Sequence, residues 1–293
     1  MTNARTRPPA LGVPGRPLVS IVTPVRNGAK YLDQHIRSVV AQDYPNIELI
    51  VIDDGSDDGG ATVEVLRRYP QVRWWSRPNR GQYATVNEGF AAARGDLVTT
   101  MGHDDWYVDA GVVSAVVSYI ERHPRCDAVH GLMLDVDSEG VQLPVQAYQR
   151  FPPWMLQYTT FISHASVFIR RQKLIELGLF YDEALRFESD GDWLARLYLS
   201  GCRLERIDRV IFAYRRHSSQ LSSRAARGGP EGAEKRAESV LRRQRYPSSA
   251  LLGRVARAYA TLHHRRLVAV SAWRHGGAPR LWQAVREWIH WGR

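Results

Sequence analysis

The stretch SIVTPVRNGAKYLDQHIRSVVAQDYPNIELIVIDDGSDDG (20–59) decides the fold. With Leu18 and Val19 before it, its start is the apolar, β-branched run LVSIVTPV (18–25), the pattern of a strand buried on both faces. Asn27-Gly28 breaks that run. Tyr31, Leu32, Ile36, Val39 and Val40 then recur at helical spacing over 29–42, and Pro45 ends the helix. IELIVI (47–52) is a second buried strand and DDGSDDGG (53–60) a polar turn. The rhythm repeats: a helix over 61–69, the strand VRWW (72–75), the loop RPNRG, a helix over 82–93 closed by Gly95, and the strand DLVTTM (96–101). Strand and helix alternating at this spacing predict parallel βαβ units with right-handed crossovers. Ligands of such sheets bind beyond the carboxyl ends of the strands. Pro24–Asn27, Asp53–Ser56, Pro78–Gln82 and Gly102–Asp105 all fall there, so polar loops scattered in sequence converge on one rim.

Beyond residue 109 the pattern changes. A helix is expected over 109–123 with Asp109 as N-cap. DAVHGLMLDV (127–136), the turn DSEG and VQLPV suggest an antiparallel hairpin. ASVFIRR (165–171) reads as a strand, Asp190–Ser200 as a helix, and RLERIDRVIFAYRR (203–216) as two short strands around a turn. GGPEGAEKR (228–236) is the best linker. The expected organisation is a disordered lead-in (1–17), an α/β domain (18–224) with halves at 18–110 and 111–224, and a basic amphipathic helical extension (225–293).

Composition narrows the classes. Hydrophobic residues are 44% of 293, enough for a sizeable core. Two cysteines make no disulfide framework, which points to a reducing, cytoplasmic setting. The polar, Pro- and Arg-rich start is not that of a secretory signal, and no apolar run approaches a membrane span. The net charge of +10 is uneven: residues 1–202 hold 20 Lys+Arg against 24 Asp+Glu, and 203–293 hold 20 against 6. Such asymmetry fits nucleic acid, an anionic membrane or an acidic partner.

Residues 20–59 and NRGQYATVNEGFAAARGDLVTTMGHDDWY (79–107) resemble the N-terminal signature of the family-two inverting glycosyltransferases with the GT-A fold. Strand–Pro-x-Arg-Asn, Asp-Asp-Gly-Ser, Asn-x-Gly-Gln, Ala-x-Gly-Asp and Asp-Asp follow in the family's order. The likeness is strong over 18–110 and looser over 160–220. It implies an α/β fold with a mostly parallel central sheet flanked by helices, a Rossmann-like nucleotide-binding half and an acceptor-side mixed half. It also implies transfer of a sugar from a nucleoside-diphosphate sugar, a UDP-sugar first, to a hydroxyl acceptor with inversion and help from Mn²⁺ or Mg²⁺. Sugars and lipid-linked acceptors of cell-envelope polysaccharide, glycolipid or related glycan synthesis fit that chemistry.

The residues support this beside the resemblance. A carboxylate after a buried strand can accept hydrogen bonds from a base or ribose, which makes Asp53 and Asp54 candidates; the alternative is a plain Asx turn. The resemblance gives Asp54 the base or ribose contact and adds Thr23, Pro24 and Arg26 to the nucleotide side. Arg80, Gln82 and Asn87 offer donors to the nucleotide next to a helix start. MGHDDW (101–106) read alone is either a strand-end turn or part of a metal site. Mg²⁺ and Mn²⁺ take oxygen ligands, often one or two carboxylates with substrate phosphates. The family has Asp-x-Asp here; Gly102 replaces the leading acid, so Asp105 is the expected ligand and Asp104 a ribose or metal-water contact. By resemblance, FESDGDWLARLYLSG (187–201) opens the acceptor-side helix, with Asp190 the general base, Asp192 second and Glu188 third. Acidic residues at a helix start also complement its dipole. The family likeness places His164 near the acceptor, and His217 near metal or diphosphate; Arg215 and Arg216 are candidates for neutralising that diphosphate.

In the tail, LLGRVARAYATLHHRRLVAVSAW (251–273) and RLWQAVREWIHWGR (280–293) set apolar stripes against Arg, which suits the anionic inner face of the cell membrane or packing on the domain or on a second copy in a homodimer. Other readings are a nucleotide-sugar binding protein that has lost catalysis, a nucleotidyltransferase, and nucleic-acid binding through the tail. TPVRNGAK lacks the Gly-rich, Lys/Arg-bearing loop of the second, and no recognition motif supports the third.

Overall fold

The computed structural model describes residues 15–143, 153–158, 160–246, 258–259 and 262. The chain runs β1 (Val19–Val25), α1 (Ala29–Val40), β2 (Ile47–Asp54), α2 (Ala61–Arg67), β3 (Arg73–Arg77), α3 (Gln82–Ala92) and β4 (Leu97–Thr100). There follow β5 (Trp106–Tyr107), α4 (Val112–Arg122), β6 (Ala128–Val136), β7 (Val167–Arg170), α5 (Arg171–Glu176), α6 (Ser189–Leu199), β8 (Leu204–Arg215), α7 (Leu221–Ala226) and α8 (Gly229–Arg245). Short 3-10 turns cover Pro153–Gln157 and His164–Ser166.

One eight-stranded sheet has the order β3-β2-β1-β4-β7-β6-β8-β5. β1 pairs in parallel with β2 and β4, and β2 with β3. β7 runs antiparallel to both β4 and β6, while β6 and β8 are parallel. Side chains alternate between the two faces. Ile21, Val25, Leu49 and Val51 join one core with residues of α1, α2 and α4. Val22, Ile50 and Ile52 join another with residues of α3 and α6. Gly89 lets α3 lie directly on β1, because a Cβ there would collide with Val22. The strand order reverses between β1 and β4, and this is the switch point where open α/β sheets bind ligands.

Three local expectations are corrected. Residues 203–216 form one strand rather than two; β8 pairs with β6 throughout, and the apparent turn is a register irregularity between His130 and Met133 of β6. Asp109 lies before α4 rather than capping it: the N-cap is Gly111, and Asp109 accepts from the Gly111 N–H and from Arg209. The linker GGPEGAEKR is instead the first half of α8, started by Pro230 in the first turn, where its missing N–H costs nothing. The hairpin after β6 closes at its turn, with Val136 bridged to Gln142. The tail stripes lie almost wholly outside the described residues, among which no helix is long and apolar enough to cross a membrane.

Candidate active site

The loop after β4 and the end of β8 meet at the switch-point rim. Asp105 is buried, and its Oδ1 accepts from the Arg215 main-chain N–H at 2.9 Å. Burial, with the neighbouring Asp104 charge second, pushes its carboxyl well above the usual range. Burial pushes Asp104 up as well, but the His217 hydrogen bond and the nearby His103 outweigh it and bring Asp104 down to about 2. His217 Nε2 donates to Asp104 Oδ2 at 2.9 Å, while its Nδ1 accepts from Ser219 Oγ at 2.7 Å. The resemblance set His217 at the metal or diphosphate; here it is a hydrogen-bond partner of Asp104, with both ring nitrogens engaged. Asp104 Oδ1 and Asp105 Oδ2 have no protein hydrogen-bond partner among the described residues.

Arg215 does not act as a free cation for diphosphate. Its guanidinium lies between Tyr31 and Trp106, 4.3 and 4.5 Å from the ring centroids. Its Nε donates to the Asp104 carbonyl, Nη1 to Ser138 and Nη2 to Gln34. It is the brace that fixes the Asp104–Asp105 corner. Arg216 is half exposed and paired with Asp135. A Cβ at Gly102 would lie 2.7 Å from Asp104 Oδ1, so an acid at this position would require the Asp104 side chain to shift.

Beneath this corner lies a residue that sequence reasoning missed. His35 of α1 is buried, and its Nδ1 donates to the Asp105 carbonyl at 2.8 Å while its Nε2 accepts from Thr23 Oγ1 at 2.7 Å. Burial, opposed by that Asp105 bond, lowers it to about 4, so the ring is neutral at pH 7. Thr23 is thus turned into the core and braces the acidic loop; Pro24 is buried beside it.

At the end of β2 the two aspartates divide. Asp54 accepts from Arg77 Nη1, the Arg80 N–H and the Gly81 N–H, and so shapes the 77–81 loop. Arg77, also missed, binds Glu88 and Thr85 as well. Asp53 Oδ1 forms an Asx turn with Ser56, which leaves Oδ2 without a partner among the described residues. Arg26 bonds Gly55 and, through an exposed pair, Asp57. Arg80 and Gln82 are exposed at the rim. Asn87 faces elsewhere: its amide accepts from Tyr181 N and donates to Tyr181 O and Glu183, which pins the chain leading into α6.

α6 begins at Ser189 without a side-chain cap of its own. Asp190, partly buried, accepts among the described residues from the adjacent Gly191 N–H alone. Asp192 is fully buried with both oxygens occupied, Oδ2 by Arg196 and Oδ1 by Tyr246 and Arg245. Glu188 is paired with Arg242. Of the three carboxylates read as base candidates, the structure leaves Asp190 available. His164 sits by Tyr83 and Tyr181, and burial lowers its pKa while the Asp190 charge raises it.

The family model described as "Glycosyl transferase family 2" matches residues 20–178. A glycosyltransferase of Rickettsia felis is 29% identical over 73% of this chain, and this chain spans only 37% of its length. The glycosyltransferase GlyG of Streptococcus pneumoniae is 25% identical, over 70% of this chain and 72% of its own. Among solved structures, S. aureus TarS 1–349 in complex with UDP-GlcNAc superposes with a TM-score of 0.60 at 17% identity, over 88% of this chain and 81% of that one. The mannosyltransferase PcManGT of Pyrobaculum calidifontis, in complex with GDP-Man and Mn²⁺, gives 0.59 at 16% identity, over 94% and 75%. With more than half of its length matched, and with the acid-lined switch point of a GT-A sheet, this chain belongs to glycosyl transferase family 2.

Proposed function

We propose that the protein transfers a sugar from a nucleoside-diphosphate sugar to an acceptor hydroxyl by a single inverting displacement aided by a divalent cation. The observation that carries this reading is the braced Asp104–Asp105 corner, with one free oxygen on each carboxylate beside the switch point. The donor set suits Mn²⁺ or Mg²⁺, which take oxygen ligands and complete their shells with phosphates and water. Among the described residues no group of three or more His, Cys, Asp or Glu could hold a metal, which fits an ion held jointly by Asp105, Asp104 and the donor diphosphate. Bound there, the cation would supply Lewis-acid stabilisation of the departing diphosphate.

The chain's own residues do the rest. Asp53 Oδ2 accepts from a nucleobase or ribose donor, in the role that the family resemblance implied for Asp54. The exposed Arg80 offers a cation to the nucleotide. Asp190 takes the proton of the acceptor hydroxyl as it attacks, and a single displacement needs no covalent nucleophile. UDP-GlcNAc and GDP-Man in the two similar structures support a nucleotide-sugar donor. The excess of 20 Lys+Arg over 6 Asp+Glu after residue 202 supports an acceptor met at an anionic lipid surface. Gly102 favours a second reading, a nucleotide-sugar binding protein without turnover.

A thermal-shift screen of UDP, GDP and their sugars, with and without Mn²⁺, identifies the donor. Product anomers by NMR then test inversion. Turnover by wild type and its loss in Asp190→Asn are expected; nucleotide binding with no turnover of any donor would establish the second reading.

A further inference from the structure

We propose that α8 is a latch that holds the base-bearing start of α6 in its working geometry, with Glu238 and Arg242 as positioning residues. This rests on Asp190 being the base. The first turn of any helix presents N–H groups that need acceptors. The N-cap of α6 and the two residues before it find an acceptor in another helix: Glu238 of α8, buried, accepts from Arg186 N at 2.7 Å, Phe187 N at 2.7 Å and the N-cap Glu188 N at 3.0 Å. One turn later Arg242, also buried, donates to Glu188 Oε2 and Thr160 Oγ1, each at 3.2 Å, and to the Leu156 carbonyl at 3.0 Å. One further turn on, Tyr246 and Arg245 take Asp192 Oδ1. Residues four apart share one helix face, so a single face of α8 grips the chain on both sides of Asp190.

Gly191 fits this arrangement. A Cβ at 191 would collide with the Arg242 guanidinium and lie 2.6 Å from Thr160 Oγ1. The residue next to the base is therefore one that lets Arg242 cross the backbone. Arg186 adds an outer clasp, with Nη1 on Glu234 and Nη2 on Glu231 at 3.1 Å each. Glu238, Arg242, Arg245 and Tyr246 are directed at 182–192, at Leu156 or at Thr160, while Glu231 also binds Arg224 of α7; among the described residues none of these contacts is with the Asp104–Asp105 corner. The latch thus acts on the acceptor-side step and not on donor binding. A displacement of about 1 Å in a catalytic group costs on the order of 100-fold in rate.

The test uses the full chain, with Glu238→Ala, Glu238→Gln, Arg242→Lys and Asp190→Asn prepared together. Turnover is read as nucleotide released from a panel of UDP- and GDP-sugars with Mn²⁺, and donor-side integrity as UDP–Mn²⁺ affinity by calorimetry. Amide exchange of the peptide spanning 183–194 reports the latch directly. Glu238→Ala should lower kcat about 10- to 100-fold, leave UDP affinity and donor KM within about twofold, and speed exchange at 186–188. Glu238→Gln, which keeps an acceptor oxygen, should recover part of kcat. Arg242→Lys keeps the charge but not the fork, so it tests the latch if Glu238→Ala does not fold. Unchanged kcat and exchange in both Glu238→Ala and Arg242→Lys, with Asp190→Asn inactive, would overturn the latch alone. An active Asp190→Asn would overturn the base assignment on which the latch rests.

Discussion

Replacing His35 by Leu removes a hydrogen-bonding ring from between two groups that cannot reach water. Thr23 Oγ1 and the Asp105 carbonyl would both lose their partner, 2.7 and 2.8 Å away at present. A buried polar group left unpaired costs about 1–3 kcal/mol. Leucine is close enough in size that the cavity contribution is secondary. The two orphaned groups together set a loss of about 4 kcal/mol. For a chain of this length that is about 8 °C in Tm. Because Thr23→Val deletes the orphaned hydroxyl without changing shape, the double variant should be more stable than His35→Leu by about 1 kcal/mol. Urea unfolding of the four proteins of the cycle gives the coupling directly. The loss should also extend to function: with its carbonyl released, Asp105 is held mainly through Arg215, and UDP–Mn²⁺ affinity should fall. A cost below about 1 kcal/mol for His35→Leu, or no recovery in the double variant, would refute the argument that this histidine is a brace.

Burial holds both His35 and His130 down at about 4, so between pH 6.5 and 4 the unfolded chain binds protons that the folded one does not. Stability is then full above pH 6.5 and falls as the pH drops towards 4, by about 2–3 kcal/mol per histidine at pH 4.5; urea midpoints should show the fall, and His130→Gln should flatten it. Arg77→Met strips the buried Asp54 of its ion-pair partner and should cost about 3–5 kcal/mol, measured by urea unfolding, with nucleotide affinity falling as the 77–81 loop loosens. Gly102→Asp, which restores the missing acid, should not improve Mn²⁺ binding, because its Cβ displaces Asp104; calorimetry with UDP present would expose a gain if the two carboxylates can coexist.

The parallel half of the sheet was legible because buried strands and amphipathic helices leave periodic marks in the sequence, and 18–25, 47–52 and 96–101 are β1, β2 and β4 within a residue or two at their ends. The second half was harder for a physical reason. β8 is half-buried over much of its length and carries charges at Glu205, Arg206, Asp208 and Arg209, so it reads as a turn between two short strands. Its continuity is imposed by β6, a tertiary partner that no local pattern announces. α8 was obscured in the same way. Gly228, Gly229 and Pro230 look like a linker, yet Glu238 and Arg242 further along the same helix are buried against the chain leading into α6.

The acidic positions show where reading by residue type reaches its limit. Three acidic pairs line the rim and its acceptor side: Asp53 and Asp54, Asp104 and Asp105, Asp190 and Asp192. In the first and last, one member is fully committed to the scaffold and the other keeps an oxygen free. At the middle pair each carboxylate gives one oxygen to a brace and keeps one. The first division follows from geometry, since neighbouring residues of a strand project to opposite sides and only Asp54 can meet Arg77 on β3 beside it. The last follows from helical spacing, since Asp192 lies four residues from Arg196 and Asp190 has no basic residue at Leu194. Spacing therefore held part of the answer for Asp192 in the sequence itself. For Asp54 it did not, because Arg77, 23 positions away in the chain, comes close only through sheet pairing. A carboxylate at a strand end is thus a candidate ligand contact only after its sheet neighbour is known, and for that reason the proposed function assigns the nucleotide contact to Asp53 rather than to Asp54.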